Sequence, residues 1–185
     1  DGATALHWAA HFDEVEIANL LLGAGADASA ANDYGATPLS LACTNASATM
    51  VEALLEGGAN PNSTGPSQES PLMLCSRSGN VDTVRALLSR GADIHAADSD
   101  RGQTAFMWAA AQGHADVVQT LIEAGAEIGA RSSGGFSPLM FAVRAGHLDV
   151  VDVLLDAGAD IEDAGPQQMT PLLLASASGR EELAI

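Results

Sequence analysis

The sequence predicts an all-helical solenoid, a row of stacked helix pairs, and three observations predict it. The first is a fixed period. The unit GQTAFMWAAAQGHADVVQTLIEAG at Gly102 to Gly125 recurs along the 185 residues, opening at Thr4, Thr37, Ser70, Thr104, Ser137 and Thr170 in steps of 33, 33, 34, 33 and 33. The second is punctuation. A threonine opens a short apolar run, Gly113 interrupts it, a second run rich in Val and Leu follows, and Gly125 closes the unit, which reads as helix, turn, helix, stop. The third is composition: 47% of residues are hydrophobic but only 4% aromatic, so small Ala and branched Leu and Val supply the core of thin layers.

The copies run over about 1–33, 34–66, 67–100, 101–133, 134–166 and a partial 167–185, one array without separate domains. In each copy the opening Thr or Ser is placed to cap a helix. In copies two, three, five and six it is followed by Pro38, Pro71, Pro138 or Pro171, at the first helical position, where a missing N–H is harmless. These helices span about two turns, far short of the ~12 to 15 residues an isolated helix needs, so packing must hold them. The column Leu6, Leu39, Leu72, Phe106, Leu139, Leu172 is expected to point into the stack. So is the pair Leu21-Leu22, repeated as Leu54-Leu55, Leu87-Leu88, Leu121-Ile122 and Leu154-Leu155. Each fully buried Leu contributes roughly 1.5 to 3 kcal/mol, and both neighbouring copies are needed to bury it. Ala9, Ala42, Ala109, Ala142 and Ala175 allow close helix approach, and Gly25, Gly58, Gly91, Gly125 and Gly158 provide a left-handed stop.

Departures from the unit carry their own expectations. Copies one and two have Asp13 and Ala46 where the others have a mid-unit glycine, so the turn there is expected to be looser or to use Asn45 as its left-handed residue. One residue is inserted in the loop 97–101 between copies three and four. Its Asp98-Ser99-Asp100 resembles the start of a calcium loop, but the later ligands are missing, and a solvated loop is the expectation. Cys43 and Cys75 replace small residues in different columns; they read as buried hydrophobes with no disulfide implied. The chain starts within a loop and stops before the second helix of copy six is complete, so it is expected to be a fragment of a longer array.

A second periodicity sits above the first. Residues 1–85 align with 101–185 at an offset of 100, pairing Trp8 with Trp108 and Gly65-Pro66-Ser67-Gln68 with Gly165-Pro166-Gln167-Gln168. This points to duplication of a three-repeat block, with convergence on loop-favoured Gly-Pro as the alternative. Duplication predicts matching environments for the two tryptophans, about 30 Å apart at roughly 10 Å per layer. It also predicts Gly-Pro loops of one shape, with Gln68 and Gln168 avoiding the positive φ that glycine accepts easily.

The pattern GxTPLxxAxxxG followed by VVxxLLxxGA, read from these copies, closely resembles the ankyrin repeat over nearly the whole chain. The resemblance implies an all-α, ankyrin-repeat solenoid of stacked helix-turn-helix units with projecting loops, used to bind other macromolecules. Ankyrin units often carry His after Thr-Pro-Leu, kept here as His7, and His after the mid-unit glycine, as at His114 and His147; these are read as structural.

Charge and residue types narrow the chemistry. The 24 acidic against 7 basic residues give a net charge of −17, which repels nucleic acid and anionic membranes. All basic residues are Arg, so a Walker A loop or a pyridoxal Schiff base is excluded from these residues. The absence of Lys also removes internal ubiquitin acceptors, which could be selected in an adaptor of a degradation pathway, but drift in base composition from Lys to Arg is the favoured explanation. His7 and His11 share a helix face, but Trp8 stands where a zinc protease motif needs Glu and no third ligand is near. No catalytic residues, metal site, cofactor or small-molecule substrate is expected. Glu16, Glu52, Glu56, Asp82, Asp116, Asp149, Asp152 and Asp156 read as a solubilising outer face of the second helices.

What remains is a partner surface. By the resemblance, loop tips and the exposed side of each first helix form a concave groove that contacts another protein or a peptide segment. Carried onto this chain, the candidates are Tyr34, Glu69, Arg77, Arg101, Gln103, Gln112, Phe136, Arg144 and Met169. Phe136 and Met169 could equally pack on the adjoining loop, and Trp8 and Trp108 are expected to cover the edge of the stack. Arg77 and Arg144, two copies apart, should stand about 20 Å from each other. The alternative function is a substrate-targeting or regulatory domain of an enzyme whose catalytic part lies outside this chain.

Overall fold

The computed structural model describes residues 1–179 and is built from helices throughout. The first helices of the copies are α1 (Ala5–His11), α3 (Pro38–Thr44), α5 (Pro71–Ser78), α7 (Ala105–Gln112), α9 (Pro138–Ala145) and α11 (Pro171–Ala177). The second helices are α2 (Val15–Gly23), α4 (Ala48–Glu56), α6 (Val81–Ser89), α8 (Ala115–Glu123) and α10 (Leu148–Asp156). Among the described residues the only other regular element is a single 3-10 turn at Pro166–Gln168. The second helix expected for copy six would begin within 180–185, which lie outside the described residues.

Each expected cap is the N-cap of a first helix. Thr37, Ser70, Thr104 and Thr170 accept a hydrogen bond from the backbone N–H three residues on, which satisfies one of the donors every helix start leaves open. Each first helix packs on the next, each second helix on the next, and the two helices of a copy on each other, giving two helix layers. Leu6, Leu39, Leu72, Phe106 and Leu139 are fully buried between them, as expected. Leu172 departs from its column: it is 53% exposed, on the face that in earlier copies receives the next copy. Within the leucine pairs, Leu54, Leu87, Leu121 and Leu154 are buried, whereas Leu21, Leu22, Leu88 and Ile122 are half-buried and Leu155 is exposed. The helix turns by about 100° per residue, so adjacent positions face different ways, and only in α4 are both members of the pair, Leu54 and Leu55, buried.

The mid-unit turn shows how the backbone overrides residue preference. Asp13 and Ala46 themselves take the left-handed conformation, at φ 58 and 57, and Asn45 stays right-handed at φ −80. The turn is therefore not loosened, and Asn45 instead donates through Nδ2 to the carbonyls of Ala10 and His11 in the preceding copy. Where glycine is kept, the space above it is used. The His114 ring lies against Gly79, and Nε2 donates to the Arg77 carbonyl; the His147 ring lies against Gly113 and donates to the Ala111 carbonyl. Above Ala46 stands Asn80, which donates to the Ala46 carbonyl. His7 is buried, its Nδ1 accepting from the Thr4 N–H and its Nε2 donating to the Ala36 carbonyl, so both ring nitrogens are committed to the fold.

Further expectations are corrected by the structure. Cys43 and Cys75 form a disulfide between α3 and α5, with Cα atoms 4.4 Å apart and both side chains fully buried. Their columns differ by one position, but small residues let α3 and α5 approach until the two columns meet. Gln68 and Gln168 both have positive φ, 56 and 59, like Gly2, Gly35, Gly102 and Gly135 at the same place. Closing the loop tip requires that conformation whichever residue sits there; the Gln68 N–H bonds to the Gly65 carbonyl just as the Gly35 N–H bonds to that of Asn32. The two Gly-Pro loops share their closing bonds, from Gly65 to the Glu69 carbonyl and from Gly165 to that of Met169, but Gln167 is also left-handed and Ser67 is not. Gly-Pro therefore does not keep the following Gln out of the left-handed region, and the duplication loses that support.

The last correction concerns the inserted loop and the tryptophans. Asp98 is only 6% exposed and is not part of a solvated loop. Its carboxylate accepts the N–H groups of Asp100, Arg101 and Gln103 and the indole N–H of Trp108. It thereby absorbs the extra residue into a closed turn. Trp8 has no such partner: it is 51% exposed, stacked on Phe12 with ring centroids 6.0 Å apart, so the two tryptophans do not share an environment. The partners of Trp108, Arg77 and Asp98, come from the preceding copy and loop.

Candidate partner-binding site

The two helix layers differ in charge. No first helix contains Asp or Glu, whereas every second helix contains at least one, and all of those are exposed. The expected outer carboxylates are among them. The first-helix layer instead carries Arg77 and Arg144, both exposed and both held by aromatic faces. The Arg77 guanidinium lies 4.9 Å from the Trp108 ring centroid of the next copy. That of Arg144 lies 5.6 Å from Phe136 and 5.2 Å from Phe141, whose rings are 6.1 Å apart. A guanidinium over an aromatic face keeps its in-plane donors available while losing rotamer freedom.

The remaining candidates divide between loop tips and groove wall. Tyr34 is 72% exposed. Arg101 and Gln112 are exposed, and the Arg101 backbone links loops by accepting the Ser133 N–H. Glu69 and Gln103 are half-buried, the Gln103 N–H bound to Asp98. Phe136 and Met169 are half-buried against the core, so part of each side chain serves packing. Reading the sequence missed the aromatic partners of the arginines: Trp108 was set at the stack edge and Phe141 was unmarked. Position offers the missing signal, since both stand four residues after the capping position, in the column that also holds Trp8, Leu41, Leu74 and Leu174.

Successive loop tips are tied by backbone bonds: the N–H of Asp33 donates to the Asp1 carbonyl, Ser99 to Ser67 and Ser133 to Arg101. Pro66 and Pro166 occupy the corresponding place where copy two meets copy three and copy five meets copy six, and have no N–H to give. Between copies two and three the tips instead border an open notch of about 140 Å³.

The ankyrin-repeat family pattern matches residues 1–65, 72–165 and 132–185. The chain belongs to the ankyrin-repeat family. Ankyrin repeats are in general protein–protein interaction modules and typically non-catalytic. No curated protein matches this chain. Among the described residues of the array, no helix is long and apolar enough to cross a membrane, and no group of three or more His, Cys, Asp or Glu is arranged to hold a metal ion.

Proposed function

We propose that this ankyrin array binds a partner protein, through a peptide segment, on the face made by its first helices and loop tips. The observation that supports this most is the charge asymmetry: on a chain of −17, the first helices carry no carboxylate and present two stacked arginines. A face so arranged favours a segment with carboxylate groups for Arg77 and Arg144 and apolar groups for Trp108, Phe136 and Phe141. Ordered arginines and aromatics are also the residue types that dominate binding energy at interfaces, because little freedom is lost when the partner arrives. The second helices, covered with carboxylates, serve as the solvated side.

The test is selection from a random peptide library against the purified array, followed by affinity measurement on variants. The double change Arg77→Ala and Arg144→Ala should weaken the selected peptides at least tenfold with folding unchanged, since each charge-assisted bond contributes roughly 1.5 to 3 kcal/mol. Equal affinity for the double variant, or cross-links confined to the second helices, would overturn the reading.

A further inference from the structure

At the offset of 100 the array carries two corresponding inter-repeat loop sites, and in one of the two a guanidinium already sits. Between copies five and six, Arg131 donates through Nη1 to the Gly135 carbonyl at 2.7 Å and through Nη2 to the Ala164 carbonyl at 3.3 Å, and it pairs with the Asp163 carboxylate. Between copies two and three the corresponding positions are Gly35, Thr64 and Ser63, and all three line the notch. The residue in the place of Arg131 is Ala31, whose methyl group cannot reach them. Among the described residues, no N–H bonds to the carbonyls of Gly35 or Thr64. None bonds to that of Tyr34 either, which Pro66 leaves without the tip-to-tip bond made elsewhere.

We propose that this notch binds the guanidinium group of an arginine side chain on the partner; for what delivers that arginine, the proposal rests on the function argued above. The charge is supplied from a different wall than in the Arg131 site. Asp163 is replaced by neutral Ser63, while Met169 is replaced by Glu69, a half-buried residue that lines the notch and makes no ion pair among the described residues. Glu69 is also the one carboxylate in its column, which otherwise holds Ala3, Ala36, Gln103, Phe136 and Met169. Carbonyl oxygens and a carboxylate around one small space are all acceptors, and arginine offers five donors and no acceptor. The exposed Tyr34 ring provides a face for the guanidinium or its stem, a geometry arginine uses and a compact ammonium uses less well. Glu69 lies two extended residues before α5, and Arg77 lies about 9 Å along that helix from Pro71 at ~1.5 Å per residue, so the two stand roughly 12 to 15 Å apart along the groove. An extended segment rising ~3.3 Å per residue covers that in about four positions, so an arginine in the notch would place an acidic residue about four positions away on Arg77.

The experiment titrates the purified array with acetyl-arginine amide and, in parallel, acetyl-citrulline amide, which keeps the shape but not the charge, and follows backbone amide resonances. Saturable shifts at Gly35, Ser63, Thr64 and Glu69 with arginine, and binding at least tenfold weaker with citrulline, are expected. Glu69→Gln should weaken arginine binding about tenfold, and Ala31→Arg should abolish the shifts by placing the chain's own guanidinium in the notch, as Arg131 does in the other site. Equal shifts with citrulline, shifts scattered over the acidic second helices, or undiminished binding to Ala31→Arg would overturn the proposal. Such a failure is distinguishable from failure of the functional reading, because the notch is read by these two amides and the reading by peptide affinity at Arg77 and Arg144.

Discussion

Replacing Gly113 by Ala tests how neighbouring copies are matched to each other. A Cβ built on Gly113 falls 2.6 Å from Nδ1 and 2.8 Å from Cε1 of His147, far inside contact distance, and φ there is +83. The left-handed backbone alone disfavours Ala by about 1 to 2 kcal/mol. Displacing the imidazole adds about 1 to 3 kcal/mol for overpacking, together with the strained or lost hydrogen bond to the Ala111 carbonyl. Lower freedom of Ala in the unfolded chain returns less than about 1 kcal/mol. The expected loss is therefore about 2 to 4 kcal/mol.

The chain itself supplies the compensating change. In copy two, Ala46 holds φ 57 beneath Asn80 rather than His, and Asn80 bonds to its carbonyl. The double variant Gly113→Ala, His147→Asn recreates that pair and should recover most of the loss, leaving about 1 kcal/mol for the backbone. Urea unfolding of the wild type, both single variants and the double variant, followed by far-UV circular dichroism, gives the coupling energy. The expected coupling is about 1 to 3 kcal/mol, and it is meaningful only where all four proteins pass the same two-state tests, since repeat arrays can unfold in parts. Additivity within about 0.5 kcal/mol would refute the reasoning, because it would mean the histidine yields freely to the added methyl group.

Other consequences can be checked on the same material. Gly125→Ala meets nothing within 4 Å but must hold φ +95, so it should destabilise by backbone strain alone, and no substitution in the next copy should rescue it in urea unfolding. The Cys43–Cys75 bond closes a separation of 32 residues, so reduction should lower stability by roughly 3 to 4 kcal/mol, measured as the shift in urea midpoint with and without reductant. Equal midpoints, or free thiols titrated in the unreduced protein, would remove the disulfide from the account. Asp98→Ala leaves three backbone N–H groups and an indole N–H without their acceptor, and should destabilise by about 3 kcal/mol or more and shift the Trp108 indole proton resonance. An unchanged indole resonance would show that Asp98 does not position that ring.

Those residues also mark how far the sequence could be read. The period, the capping Thr and Ser, the glycine stops and the inward Leu and Ala columns were all legible, because each is a local rule repeated in every copy. The errors fell where one copy meets the next and in turns whose backbone the whole array sets. The pairing of Cys43 with Cys75 depends on which positions of α3 and α5 face each other, and no period within a copy reports that. Left-handed Asp13, Ala46, Gln68 and Gln168 contradict their own preferences because the array fixes the turn that most copies make with glycine. Of the site, Arg77 and Arg144 were legible as rare cations, and Tyr34 as a loop-tip aromatic. Their stacking partners and the likeness of the Ala31 and Arg131 loops became visible only once residues some 30 positions apart were side by side.

The same charge asymmetry makes opposite salt responses for the two kinds of ligand. Exposed charges act over about 30 Å at 0.01 M salt but only about 8 Å at 0.15 M. The second-helix carboxylates lie roughly a helix spacing, ~10 Å, behind the first-helix layer, so at low salt the whole −17 opposes an acidic peptide approaching Arg77 and Arg144. At 0.15 M most of that field is screened, while the contact between a stacked guanidinium and a carboxylate is screened less. The affinity of a selected acidic peptide should therefore hold or improve from 0.01 M to 0.15 M and fall only towards 1 M. Acetyl-arginine amide at the notch is drawn by both the local carboxylate and the total charge, and should weaken steadily over the same range. Fluorescence anisotropy for the peptide and amide shifts for the arginine probe measure the two curves. If the acidic peptide weakens from the lowest salt onward, the two arginines already outweigh the distant carboxylates, and the missing carboxylates of the first helices have no part in admitting the partner.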